Sequence, residues 1–143
     1  MRTVRHLLEA KAPEIFAVRP DAPVLEAVRQ MAEKHVGALL VMDAGQLVGI
    51  VSERDYARKV VLQGRSSSDT PVRDIMTSKL VTVGPSDTTD HCMEVVTERR
   101  IRHLPVVDGG RLVGVISIGD VVRAVVDEQQ FTINALQSYI ASA

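Results

Sequence analysis

The chain has 143 residues, of which 45% are apolar, 24% charged and only 3% aromatic, and its formal net charge is −1. That size suits one compact domain or two very small ones, with a core built from aliphatic side chains. The composition offers neither the basic excess a phosphate backbone requires nor the aromatic platforms on which single-stranded bases stack, so no nucleic-acid polymer is expected as a partner.

Taken in chain order, Met1 to Leu8 carries two Arg and no apolar stretch, so no secretory signal is expected there. A short strand is expected at Ile15–Val18, then a turn at Pro20. A helix follows, with Asp21 as its N-cap and Val24, Ala27, Val28, Met31 and Ala32 on one face. Ala38–Met42 and Leu47–Val51 read as a hairpin across Asp43-Ala44-Gly45, and a second helix begins at Ser52. Residues 63–71, QGRSSSDTP, read as a linker. The order then returns: a strand at Leu80–Val83, a turn at Pro85, and a helix capped by Ser86. A hairpin of Leu104–Val107 with Leu112–Ile116 and a helix from Ser117 complete it. From about Phe131, the spacing of Ile133, Leu136 and Ile140 predicts a terminal amphipathic helix. The longest apolar run, Ala38–Met42, is far below the roughly 18 residues of a membrane span. A cytoplasmic protein with no membrane partner is therefore expected.

The return is a true repeat. With a shift of 65 residues, 12 of the 23 positions from 39 to 61 are identical without a gap, Gly, Ser and Asp among them. A shorter echo sets Val4-Arg5 against Val72-Arg73. Each copy reads β-α-β-β-α, which assigns domains to 1–64 and 72–128, a linker to 65–71 and a terminal helix to 129–143. A unit of about 60 residues is marginal alone, so two are expected to pack sheet to sheet about a pseudo-two-fold axis, with sites in pairs.

The constellation with most chemistry is Gly-x-x-Ser-x-x-Asp, at Gly49/Ser52/Asp55 and again at Gly114/Ser117/Asp120. Each copy sits where a strand runs into a helix. Gly permits close approach of backbone or ligand. Ser lies beside unpaired N–H groups at the positive end of the helix dipole, which suits a phosphate. Asp can accept hydrogen bonds from both ribose hydroxyls. The same residues also spell a capping box, and the sequence leaves both readings open. Arg102 and His103 stand where the first repeat has Gly37 and Ala38. They suit either a phosphate contact or a solvated basic helix end.

Neighbours in a helix point about 100° apart, so His91 and Cys92 do not form a nucleophile and base, and Cys92 reads as a core residue. The single cysteine also excludes an intrachain disulfide and a cysteine-based zinc site. The four His residues lack metal-ligand spacing, and no P-loop or catalytic triad pattern occurs. Neither a catalytic residue, a catalytic cofactor nor a metal site is expected.

These motifs resemble the cystathionine-β-synthase (CBS) domain. The resemblance rests on Asp74-Ile-Met-Thr77, Thr82-Val83-x-Pro85, Arg102-His103-Leu-Pro105-Val-Val-Asp108 and Leu112-Val-Gly114-Val-Ile-Ser117-x-x-Asp120. It covers residues 4 to 127 and implies an α/β (α+β) tandem pair with two clefts for adenosine compounds such as AMP, ADP, ATP or NAD(H). In one cleft it places adenine against Phe16, Val18, Val36, Gly37 and Ala38, ribose at Asp120, and phosphate at Ser117 with Arg102 or His103. In the other it places adenine at Thr77, Leu80, Val81, Ile101 and the backbone near Arg102, ribose at Asp55, and phosphate near Ser52 and Arg54. The first repeat lacks the basic residue and the Pro of the pattern at Gly37-Ala38 and Leu40. The Arg102 site is therefore expected to bind more tightly. A non-catalytic sensor of adenine nucleotides, working as a homodimer with an unidentified effector protein, is the expected function. A structural or protein-interaction module with vestigial clefts is the alternative.

Overall fold

The computed structural model describes residues 2–11 and 15–142. Met1, residues 12–14 and Ala143, which belong to the assignments 1–64 and 129–143, lie outside the described residues. The fold is mixed α/β, with two small sheets and a long C-terminal helix. The chain divides into two compact units: Ile15–Leu80, here the first unit, and Met1–Glu14 with Val81–Ala143, the second.

In the first unit, strand β1 (Ala17–Val18) lies parallel to β2 (Ala38–Asp43), and β2 pairs antiparallel with β3 (Gln46–Ser52). Helix α2 (Val24–Lys34) precedes the hairpin. Helix α3 (Glu53–Tyr56) follows it and widens into a π-turn at Ala57–Val61. The hairpin loop is Ala44-Gly45, with φ of 49° and 79°. Two successive positive φ values make a turn whose twist matches that of the strands it joins. Val24, Ala27 and Met31 of α2 close over Leu39, Val41 and Val51, the aliphatic core that the aromatic-poor composition requires.

The second unit repeats the plan. Helix α4 (Thr89–Arg99) precedes a hairpin of β4 (His103–Asp108) and β5 (Arg111–Ser117), closed by Gly109-Gly110 with φ of 58° and 82°. The expected strand at Leu80–Val83 is reduced to one parallel bridge, Val83 to Val106. Cys92 is fully buried among Val96, Leu104, Val106 and Ile116. Burial pushes its thiol up to about 11.

Two expectations about helix ends are corrected. Helix α2 starts after Pro23 and α4 after Thr88, so neither Asp21 nor Ser86 is a cap. Asp21 instead pairs with Arg19 at 3.1 Å. Pro23 holds φ at −66° in an extended conformation and so delays the helix. The terminal helix is not separate either. Helix α5 runs unbroken from Ile118 to Ser142, because no Gly or Pro interrupts residues 120–142. Ala32, placed on the core face from its spacing, is exposed.

The division in space differs from the linear one. Helix α1 (Val4–Glu9), which opens the first repeat, packs in the unit built from the second. The 3₁₀ turn Val72–Asp74, which opens the second repeat, packs in the unit built from the first. The two lead-in segments make matching bonds. Arg5 N–H donates to the Pro85 carbonyl at 2.9 Å, and Arg73 N–H to that of Pro20 at 2.9 Å. Each lead-in also satisfies an orphan N–H at the start of a helix. The Arg2 carbonyl accepts from Thr89 N–H at 3.0 Å, and that of Thr70 from Val24 N–H at 2.8 Å.

Candidate functional site

The glycines of the repeated motif are packing residues. A Cβ on Gly114 would lie 2.7 Å from Leu8 Cδ2, and one on Gly49 would lie 2.7 Å from Met76 Sδ and 3.0 Å from the Thr77 carbonyl. In each unit it is the lead-in segment, a stretch of backbone and side chain, that uses the space.

The Ser/Asp pairs do form capping boxes. In the second unit Ser117 Oγ accepts from Asp120 N–H at 3.1 Å, and Ser117 N–H donates to Asp120 Oδ2 at 2.8 Å. In the first unit Ser52 Oγ accepts from Asp55 N–H at 3.1 Å, while Ser52 N–H donates to Asp55 Oδ2 at 3.0 Å. Each box takes up only Oδ2 of its carboxylate. Among the described residues, Oδ1 of Asp120 receives no hydrogen bond.

Sequence reasoning missed a lysine at each carboxylate. Lys11 Nζ reaches Asp120 Oδ2 at 2.7 Å and the Val115 carbonyl at 3.0 Å. Lys59 Nζ lies 3.2 Å from Asp55 Oδ1 and donates to the Ile75 carbonyl at 2.8 Å. The second pair was open to an i, i+4 reading of the sequence. No spacing announces the first, whose members are 109 residues apart. Burial works against ionisation of Asp120, but the Lys11 and Ser117 bonds outweigh it and hold the carboxyl below its usual range.

The hairpin register fixes what stands beside each serine. His103 pairs across from Ser117, and Ala38 across from Ser52. The residue before each also touches the helix start: Ile118 N–H donates to the Arg102 carbonyl at 2.7 Å, and Glu53 N–H to that of Gly37 at 3.0 Å. One junction therefore gathers Lys11, His103, Ser117 and Asp120, with Arg102 exposed at its edge. The other gathers Gly37, Ala38, Ser52, Asp55 and Lys59, with Arg54 exposed. His103 is half-buried. Burial lowers its pKa; Lys11 and Arg102 add to this and Asp120 opposes it.

The expected adenine-facing residues are more scattered. In the first unit Phe16 is half-buried, with Lys34 Nζ 5.5 Å from its ring centroid. Val18 is buried in the core of that unit, and Val36 packs at the edge of the same core. Thr77 exchanges backbone bonds with Ile50 at 2.8 and 3.0 Å, and Leu80 is half-buried. In the second unit Val81 and Ile101 pack against the core. Among the described residues, no group of three or more His, Cys, Asp or Glu side chains is placed to hold a metal ion.

The profile of the CBS domain matches residues 4–62 and 72–127. The chain belongs to the CBS-domain family. A CBS-domain protein of Arabidopsis thaliana, CBSX3, mitochondrial by its name, is 47% identical over 125 residues. The match covers 84% of this chain and 61% of that protein, so the chain spans about three-fifths of the relative's length. The solved structure of a protein with CBS domains from Burkholderia ambifaria MC40-6 is 55% identical with a TM-score of 0.87, covering 92% of this chain and 99% of that one. The CBS domain pair of the protein MJ0100, crystallised with 5′-methylthioadenosine and S-adenosyl-L-methionine, is 26% identical with a TM-score of 0.78. It covers 90% of this chain and 98% of its own. The two ligands named for the MJ0100 pair are both adenosine compounds. No helix among the described residues is long and apolar enough to cross a membrane.

Proposed function

We propose that this CBS pair is a non-catalytic sensor of an adenine nucleotide (AMP, ADP, ATP or NAD(H)). The observation that carries the reading is the Ser117/Asp120 junction, where a 25-residue helix begins, a carboxylate oxygen stays outside the capping box, and His103 and Lys11 stand alongside. In this reading Ser117 and the helix N–H groups receive phosphate, with Arg102 or His103 assisting. Asp120 accepts the ribose hydroxyls. Ser52 and Asp55, with Arg54 nearby, take the same parts at the second site. Phe16, Val36, Gly37, Ala38, Thr77, Leu80, Val81 and Ile101 supply the apolar and backbone surface for adenine. The two adenosine compounds bound by the MJ0100 pair support a nucleoside ligand.

Calorimetric titration with AMP, ATP and NADH tests the reading. Saturable binding below millimolar is expected, and Asp120→Ala should weaken it strongly. Flat titrations with all three would overturn it and favour a protein-interaction module. A homodimer belongs to the same proposal. Beyond Glu128 helix α5 carries no charged side chain, and Phe131, Ile133, Leu136, Tyr139 and Ile140 are 47–75% exposed. Sedimentation at micromolar concentration should report twice the chain mass.

A further inference from the structure

The two lysines on the two carboxylates are not copies of one ancestral residue. Under the 65-residue shift Lys59 aligns with Ala124, which is buried in the second unit's core. Under the lead-in echo Lys11 aligns with Lys79, not with Lys59. Duplication therefore accounts for the capping boxes but not for the lysines. The two halves reach one arrangement by different routes, one from the N-terminal segment and one from the π-turn after α3. In both, the ammonium bridges the carboxylate to a backbone carbonyl. The carbonyl is Val115 in one unit and Ile75 in the other. The carboxylates are the more enclosed partners, at 15% and 14% side-chain exposure against 35% and 45% for the lysines.

A capping box does not need this cation, since the serine and backbone N–H groups complete it. A ligand does give it a use. A carboxylate that accepts ribose hydroxyls also repels a phosphate attached to the same ribose. At a separation of about 6 Å, an uncompensated charge there would weaken binding of a phosphate by about tenfold or more. We propose that Lys11 and Lys59 determine ligand class: by cancelling the charge of Asp120 and Asp55, they make both sites select phosphorylated adenosine over adenosine itself. The inference rests on the adenine-nucleotide reading above and adds the residues that set its selectivity.

The test is calorimetry with two probes, AMP and adenosine, on the full chain and on Lys11→Gln, Lys59→Gln, the double variant, and Lys11→Arg with Lys59→Arg. The ratio of AMP to adenosine affinity should fall at least tenfold in the double glutamine variant. Adenosine affinity should stay within about threefold, and the arginine pair should keep the wild-type ratio. Equal loss of both probes, which a purely structural role predicts, would overturn the inference. So would an unchanged or tightened AMP affinity in the glutamine variants. A wild-type chain that binds neither probe removes the underlying reading instead, before any variant is compared. Melting curves of each variant identify any that fail to fold, and the arginine pair then carries the test by its AMP preference alone.

Discussion

Gly114→Ala isolates the role of the motif's glycine. The new Cβ would stand 2.7 Å from Leu8 Cδ2, well inside contact distance. Gly114 is buried in β5, so the only relief is movement of Leu8 on helix α1. Overpacking of this kind costs about 1–3 kcal/mol. Loss of glycine's freedom in the unfolded chain returns about 0.4–1 kcal/mol. The net loss should be about 1–2 kcal/mol, or about 3–7 °C in Tm for a chain of this size. Urea unfolding of Gly114→Ala, Leu8→Ala and the pair closes a double-mutant cycle. With Leu8 truncated the added methyl has room, so Gly114→Ala should become neutral or slightly stabilising, a coupling of about 1–3 kcal/mol. Gly49→Ala should cost more. Its second neighbour is the Thr77 carbonyl, 3.0 Å from the added Cβ and held by its bond from Ile50, which cannot swing away as a side chain can. A neutral Gly114→Ala, or a coupling below about 0.5 kcal/mol, would refute the packing role and restore a ligand-facing one.

Stability should also depend on pH through His103, whose folded pKa lies below that of the unfolded chain. Its contribution is complete above about pH 6.5 and is lost as pH falls from there through the folded value, so His103→Gln should flatten the stability slope on the acid side of about pH 6.5. Cys92 is fully buried and its thiol is pushed up to about 11, so it should resist a disulfide reagent at pH 8 in the folded chain and react on unfolding in urea. Fast labelling without denaturant would contradict the core position.

The hairpins were the most legible part of the fold. Alternation, the Asp-x-Gly turns and the repeat placed both within one residue at each end, because strand pairing and type of turn are local properties. The helix starts were not legible in the same way. Asp21 and Ser86 have suitable side chains, but the donors they would have capped are met by backbone carbonyls of Thr70 and Arg2, far along the chain. The capping reading and the site reading of Ser52/Asp55 and Ser117/Asp120 stood as alternatives in the sequence. The structure forms the caps and leaves Asp120 with an oxygen to spare. Lys11 was invisible for the reason that Arg2 was: its partner is brought near only by the exchange of lead-in segments.

That exchange has a consequence for the order of events at the ribosome. Helix α1 is made before its packing partners Val83, Cys92, Leu104 and Ile116, which emerge roughly eighty to a hundred and ten residues later. Residues 15–80 can complete their own core in the meantime, whereas Val4 and Leu7 must wait with their apolar surface uncovered. Contacts of such long sequence separation form slowly. The same connectivity means that a cut within residues 63–71 would not release two folded halves, because each half would carry away the segment that completes the other.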